Sequence, residues 1–139
     1  GPFVLKGILT EEDAKKAMGL GATAVMISNH GGRQLDGIPT PIERVSSIRE
    51  AVGDKMELIV DGGIRRGTHI LKALALGANA VSIGRPYLYG LAANGELGVR
   101  QVLTLLNDEL RRDMALLGCK NLSEVTGKHV RSIHGKRNE

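Results

Sequence analysis

Apolar residues follow two patterns along the chain, and the alternation between the two patterns predicts the fold. Short apolar runs near residues 3–6, 24–28, 57–60 and 80–83 are typical of buried parallel strands. Between these runs, apolar positions three and four apart indicate amphipathic helices. The order strand, helix, strand, helix therefore predicts an α/β fold with a parallel sheet and right-handed crossovers.

Capping signals mark where the predicted helices begin. Thr10 precedes a run of acidic residues, and Thr40 opens a capping box with a proline at the first helical position. The second signal predicts a helix over 41–51. After the fourth strand, the spacing predicts a short helix over 86–93 and a long amphipathic helix within 99–117, which we expect to pack on the sheet.

An internal repeat supports this reading. The segment Leu20–Ile27 returns as Leu76–Ile83, with six of eight positions identical at an offset of 56 residues. In each copy a glycine, Gly21 or Gly77, stands where a helix would end in the left-handed conformation, and an apolar strand follows at once. The chain is thus predicted to repeat one strand and helix unit.

Polar or glycine residues end all four predicted strands, which favours half of a (β/α)8 barrel over an open doubly wound sheet. In such barrels the reactive side chains stand at the carboxyl ends of the strands, and a whole barrel needs about 250 residues. The chain has 139 residues. The strand ends are Lys6-Gly7, Ser28-Asn29-His30, Asp61-Gly62-Gly63 and Gly84-Arg85.

Charge and cysteine content narrow the functional classes. The net charge is +4, but basic and acidic residues are mixed except in a basic C-terminal stretch that we expect to be a solvated terminus rather than a nucleic-acid arm. The single cysteine, Cys119, excludes an intramolecular disulfide and is expected to be at least half-buried. No membrane-spanning run or signal peptide is recognisable, so a cytoplasmic location is predicted. The basic residues of the stretch are Lys128, His129, Arg131, His134, Lys136 and Arg137.

The densest polar cluster is the segment from Ser28 to Asp36, which follows the second strand. In it His30 and Arg33 stand three residues apart on a glycine-lined loop. An imidazole could take a proton there while a guanidinium holds a carboxylate with two parallel hydrogen bonds. The alternative is a polar turn without chemistry.

A second cluster, Asp61 to Gly67, is followed one unit later by Gly84-Arg85-Pro86. Glycines let backbone N–H groups approach a phosphate, and arginines supply forked donors, so the two segments indicate a phosphate site. Turn glycines with solvent-facing arginines are the alternative. Lys6 ends a buried strand and therefore needs a partner, either a flavin ring or a carboxylate.

The ordered motifs resemble one known family, the FMN-dependent 2-hydroxy-acid oxidases and dehydrogenases, which include the enzymes that oxidise glycolate, lactate and mandelate. The resemblance covers essentially the whole chain. It implies that residues 1–139 are the C-terminal half of one (β/α)8 barrel domain whose N-terminal half is absent, and that the enzyme oxidises a small L-2-hydroxy acid to the 2-oxo acid with FMN. The motifs are Leu5-Lys6-Gly7, Ser28-Asn-His-Gly-Gly-Arg-Gln-Leu-Asp36, Asp61-Gly-Gly-Ile-Arg-Arg-Gly67 and Gly84-Arg-Pro86.

The resemblance also implies roles for individual residues. His30 would be the catalytic base that takes the proton from C2 of the substrate, and Arg33 would bind the substrate carboxylate. Lys6 would stabilise the anionic reduced flavin, with Ser28 also contacting the ring. No metal is implied. The ribityl chain and phosphate of FMN would be held by Asp61, Gly62, Gly63, Ile64, Arg65, Gly84 and Arg85.

Several residues near the motifs carry weaker signals. Asp36 could support a catalytic group or anchor its own loop. Tyr87 and Tyr89 are expected to pack. His69, His129 and His134 are expected to be surface or helix residues.

Two alternative functions, and the identity of the partner, remain open from the sequence. Other phosphate-binding barrels, such as inosine-monophosphate dehydrogenase or the FMN-dependent isopentenyl-diphosphate isomerase, share the glycine-rich segments, but the His30 to Arg33 loop argues against them. A non-catalytic half-barrel that self-associates is the second. The third open point is the partner: a complementary N-terminal half or another copy would cover the sheet edges, and a homo-oligomer is expected.

Overall fold

Four parallel strands in the order β1-β2-β3-β4 form one sheet, and a helix follows each strand. The architecture is seen in a computed structural model that describes residues 1–132. The predicted α/β fold and its alternating order are confirmed. The elements are β1 Val4–Ile8, α1 Glu11–Gly19, β2 Ala24–Ser28, α2 Pro41–Val52, β3 Glu57–Asp61, α3 Gly67–Ala75, β4 Ala80–Ser82 and α4 Arg85–Leu116.

The predicted helix starts are also confirmed. The hydroxyl of Thr10 accepts a hydrogen bond from the backbone N–H of Asp13 at 3.1 Å and so caps α1. At α2 the carboxylate of Glu43 accepts the backbone N–H of Thr40 at 2.7 Å, which completes the capping box. Beyond α1, Gly21 takes φ +86°, the left-handed conformation that glycine adopts without strain.

The two faces of the sheet differ. The face that carries α1 and α2 contains the fully buried side chains Val25, Leu58 and Val60, which form the main hydrophobic core. On the opposite face Met26 and Ile59 are only half-buried. In a closed barrel this second face lines the interior, so the exposure pattern fits half of a barrel.

Helix α4 has a break that separates the two predicted helices. Asn94 and Gly95 leave helical geometry, with Gly95 at φ +53°. The flanking segments cross where a Cβ on Gly98 would lie 1.9 Å from the carbonyl oxygen of Gly90. Two glycines therefore permit backbone contact at the kink.

The expectation that the long helix packs on the sheet is wrong. Its C-terminal part lies against α3, where Met114 joins Leu71 and Ala75 in a second, smaller core. Helix α3 already covers that part of the sheet, so α4 adds an outer layer. Two leucines within the predicted range 99–117, Leu103 and Leu117, are exposed although their spacing suits the apolar face.

The chain after α4 continues this second core. Cys119 is buried there, as predicted, together with Val125. The basic stretch was expected to be a solvated terminus. Two of its residues, Lys128 and His129, lie in a short 3-10 turn, and three others, His134, Lys136 and Arg137, fall outside the described residues. No helix within residues 1–132 is long and apolar enough to cross a bilayer.

Candidate active site

The candidate site lies at the carboxyl ends of the strands, where the parallel register aligns polar side chains from neighbouring strands. Ser28 at the end of β2 is in register with Asp61 at the end of β3, and Asp61 is in register with Ser82 at the end of β4. Lys6 reaches the same place from β1. The motifs from three parts of the sequence therefore meet in space.

Lys6, Ser28 and Asp61 form one hydrogen-bonded network. The ammonium of Lys6 lies 2.9 Å from Asp61 Oδ2 and 3.0 Å from Ser28 Oγ. The Ser28 hydroxyl donates to Asp61 Oδ2 at 2.7 Å. Of the two partners expected for Lys6, the structure shows the carboxylate. The Lys6 side chain keeps 46% of its exposure, so its ammonium also faces the open side of the sheet.

The network holds Asp61 ionised. Burial opposes ionisation of this carboxyl, but hydrogen bonds from Ser28, Lys6 and Ser82, with the charge of Lys6, outweigh burial and lower its pKa from the usual value. Lys6 and Asp61 therefore form a charge pair. A negatively charged group that binds next to Lys6 would meet an ammonium whose position Asp61 and Ser28 already fix.

His30 has a strained backbone in a position that other residues define closely. Among residues 1–132 it is the one non-glycine residue with positive φ, +55°. Its N–H donates to Ser28 Oγ at 3.1 Å. Strain of this kind costs about 1–3 kcal/mol and clusters at functional sites. The backbone N–H therefore ties His30 to the network of Lys6, Ser28 and Asp61.

Gly7 makes room for the His30 ring. A Cβ at Gly7 would lie 2.9 Å from His30 Nε2, and Gly7 itself takes φ +95°. The imidazole consequently lies directly against the end of β1, next to Lys6. The sequence offered a signal for this contact in the Lys6-Gly7 pair, but the role of the glycine could not be read without knowing that His30 folds back onto it.

Arg33 follows His30 on the exposed loop after β2. Within residues 1–132 its guanidinium has no carboxylate partner, in contrast to Arg44, which is bound by Glu11. An unpaired fork on the loop that carries His30 can accept a carboxylate from a ligand. Asp36 accepts the N–H of Gly37 at 2.9 Å, which supports the loop-anchoring interpretation.

The glycine segment after β3 borders a cavity of about 440 Å³. Gly62 and Gly63 take φ +123° and +78°, conformations that side-chain-bearing residues rarely adopt. The lining residues, all within the described part of the chain, include Lys72 and Arg85 and no carboxylate. An anion can therefore enter this cavity without meeting a like charge.

The two nearby helix N-termini are not equivalent. At α3 the carboxylate of Glu109 accepts the N–H of Gly67 at 2.7 Å and also binds Arg66 at 2.9 Å. This terminus already holds an anion. At α4 the N-cap Gly84 provides no side-chain cap, and Arg85 has no carboxylate partner within residues 1–132. The arrangement fits a phosphate of FMN at the start of α4.

Other residues differ from the sequence expectations. Tyr87 and Tyr89 were expected to pack, but they are 38% and 69% exposed because nothing within residues 1–132 covers this side of α4. Glu109 gave no sequence signal, since its partners lie 42 and 43 residues away. His69 lies in α3, as expected for a helix residue, but it also contacts the glycine segment after β3.

Known proteins share much of this sequence. The chain is 54% identical over 124 residues to the L-lactate oxidase of a Nostoc species, covering 89% of this chain and 34% of that protein. It is 51% identical over 130 residues to human 2-hydroxyacid oxidase 1, covering 94% and 35%. It therefore spans about a third of the length of these relatives.

A solved structure agrees with the fold. The crystal structure of mandelate oxidase with benzoyl-formic acid superposes with a TM-score of 0.87 at 52% identity, covering 89% of this chain and 37% of that one. Residues 1–132 match the family described as FMN-dependent dehydrogenase. The match over nearly the whole chain and the site geometry lead to one conclusion: the chain belongs to the FMN-dependent dehydrogenase family.

Proposed function

We propose that this chain is the catalytic C-terminal half of an FMN-dependent enzyme that oxidises a small L-2-hydroxy acid to the 2-oxo acid. The observation that carries the proposal is the left-handed His30, held by Ser28 and seated on Gly7 beside Lys6. An exposed imidazole whose backbone is held in a strained conformation is suited to proton transfer with a bound ligand. The relatives named for lactate, glycolate and mandelate support the substrate class.

His30 and Arg33 act on the substrate in this proposal. Oxidation of a 2-hydroxy acid removes two electrons and two protons from its C2–OH unit. Arg33 binds the carboxylate with its guanidinium fork, which fixes the orientation of the acid on the loop. His30 takes the C2 proton, the hydroxyl proton is released as the C2=O double bond forms, and FMN, when bound, would accept the two electrons. Both residues come from one short segment, so a single loop sets the distance between the carboxylate and the base.

Lys6 and the network below it serve the flavin. FMN, when bound, supplies the electron acceptor. The Lys6 ammonium, fixed by Asp61 and Ser28, stabilises negative charge that develops above it. The Ser28 hydroxyl already donates once and accepts twice, which uses its hydrogen-bonding capacity. Its main contribution is therefore to position Lys6 and the backbone of His30.

The phosphate and ribityl chain of FMN would be held in the cavity beside the glycine segment. Gly62, Gly63 and Ile64 line this cavity together with Arg85. The backbone N–H groups at the start of α4, beginning at Gly84, and the exposed guanidinium of Arg65 would add donors.

A complementary half completes the enzyme. The open face of the sheet, with half-buried Met26 and Ile59, is the interior of a barrel whose other strands lie outside this chain. We assign that role to an N-terminal half of the same enzyme, with homo-oligomers of the completed barrel. A second copy of this chain is the alternative partner. Three relatives are named peroxisomal, so the cytoplasmic location stays a prediction from the sequence.

The test is an FMN titration of the purified chain, alone and after fusion to the part of the Nostoc L-lactate oxidase that the chain does not match. We expect the fusion to bind FMN and Arg85→Gln to lower its affinity for FMN at least tenfold. Arg100→Gln is the surface control, because Arg100 forms an exposed pair with Glu96, and we expect it to have no effect. A fusion that folds but binds no FMN would overturn the proposal. Size measurement of the chain alone distinguishes the two partners.

A further inference from the structure

His69 occupies an unusual place beside the glycine segment after β3. It is the third residue of α3, half-buried, and it lines the same cavity as Gly63 and Arg85. Its ring nitrogen Nδ1 lies 3.2 Å from the backbone N of Arg65 and 3.1 Å from the carbonyl oxygen of Gly63. One atom therefore contacts both ends of the segment Gly63 to Arg65.

Either state of the ring bonds this segment. When Nδ1 carries no hydrogen, its lone pair accepts the N–H of Arg65; when Nδ1 carries a hydrogen, it donates to the carbonyl of Gly63. The contact resembles a capping box displaced by one residue, because the third helical residue reaches back to the residue before the N-cap. The N-cap residue of α3, Arg66, makes no capping hydrogen bond with its own side chain.

The segment needs such a brace. Gly63 is exposed and takes φ +78°, and a Cβ placed there would meet no atom within 4 Å; the neighbouring Ile64 is buried. Glu109 holds Arg66 and Gly67 from the other side but does not reach Gly63. Two restraints, Glu109 outside and His69 inside, thus flank the residues that border the cavity.

We propose that His69 is a positioning residue for phosphate binding: it holds the segment Gly63 to Arg65 so that the backbone and the Arg65 guanidinium meet the phosphate of FMN together with Arg85. This rests on the proposed function and adds to it a residue that does not touch the reacting atoms. Because the cavity wall contains Lys72 and Arg85 and no carboxylate, a phosphate is the chemical class that the braced segment suits.

Substitutions at position 69 separate the brace from general stability. His69→Asn places an oxygen where Nδ1 lies, so it retains the bond to Arg65. His69→Gln places its polar atoms near Nε2, and His69→Ala has none, so both lose the bond. We expect His69→Ala and His69→Gln to lower the affinity for FMN about three- to tenfold, the effect of one lost hydrogen bond. The affinity of His69→Asn should stay close to that of the wild type.

The decisive readout is the ratio of affinities for FMN and for riboflavin, which lacks the phosphate, measured by fluorescence titration in the fusion described above. The proposal predicts that only the FMN affinity falls in the alanine and glutamine variants. Equal losses for both flavins, or no loss, would overturn it.

A flavin-free measurement keeps this inference separate from the proposed function. In the 15N-labelled chain, we expect His69→Ala to increase the fast motion of the Gly63, Ile64 and Arg65 amides in heteronuclear NOE spectra, with His69→Asn restoring wild-type values. Unchanged amides in the alanine variant would contradict the brace even if FMN binds. If the amides lose order in His69→Ala but no sample binds FMN, the role of His69 in holding the segment would stand and the proposed function would be rejected.

Discussion

At the scale of single residues, the strained backbone of His30 is the feature that favours a catalytic role for the loop after β2 over an ordinary polar turn. The sequence supplied the residue and its glycine neighbours but not the positive φ, because strain depends on the bond from the His30 N–H to Ser28 and on the space at Gly7. The histidine could therefore be predicted, and its geometry could not. The same holds for Lys6, whose carboxylate partner comes from a strand 55 residues away in the sequence.

Replacing the base tests the role of His30. We expect His30→Gln to lower kcat about 10²- to 10⁴-fold, the usual contribution of a positioned base, while FMN binding and thermal stability change little. Steady-state kinetics in the completed enzyme measure the effect. A variant with nearly wild-type kcat would reject the assignment.

Changing the shape of the cation tests Arg33. Arg33→Lys keeps the charge but loses the fork, so we expect KM for the hydroxy acid to rise about tenfold or more, with a smaller effect on kcat. Arg100→Lys is the matched control, because Arg100 makes only an exposed pair with Glu96. The interpretation fails if Arg33→Lys leaves KM unchanged.

The network at Asp61 predicts a pH dependence of stability. The pKa of the Asp61 carboxyl is lowered in the folded chain, so its stabilising contribution is present above its usual pKa of 3.8 and is lost as the pH falls below that value. We expect the difference in unfolding free energy between wild type and Asp61→Asn to shrink from pH 6 towards pH 3, each measured by urea denaturation. A difference independent of pH would contradict the ionised, paired carboxylate.

At the scale of secondary-structure elements, local signals predicted most of what is observed. Capping at Thr10 and Thr40 fixed the starts of α1 and α2, and the repeated glycines marked where α1 and α3 end. The packing of α4 was missed, since an amphipathic pattern gives the buried stripe but not its partner. Contacts such as Glu109 with Gly67 join distant parts of the chain and leave no local pattern.

The crossing within α4 gives a prediction at this scale. A methyl group at Gly98 would overlap the carbonyl of Gly90, and backbone cannot move aside as a flexible side chain can. We expect Gly98→Ala to destabilise the fold by about 1–3 kcal/mol. Gly19→Ala, at an exposed position with nothing within 4 Å of the added methyl, should change stability by no more than about 0.5 kcal/mol. Equal unfolding midpoints for the two variants would show that the crossing is not tight.

At the scale of the whole molecule, a fold that forms part of a barrel explains why polar groups gather at the strand ends while one face of the sheet stays open. All four strand ends contribute polar groups, yet the barrel-facing side chains Met26 and Ile59 lack full cover. That the four strands form only part of a closed barrel could be predicted from the chain length and the strand count, since a whole barrel has eight strands.

The most direct test of the account is anaerobic reduction of bound flavin in the fusion of this chain with the unmatched part of the Nostoc L-lactate oxidase. L-lactate, glycolate and L-mandelate would be added in turn while the visible flavin absorbance is followed, with the His30→Gln fusion as the matched sample. The account predicts that at least one acid bleaches the flavin, and that the His30→Gln sample bleaches at least a hundredfold more slowly. A folded, flavin-loaded fusion that none of these acids bleaches would contradict the claim that this chain is the catalytic half of a 2-hydroxy-acid oxidising enzyme.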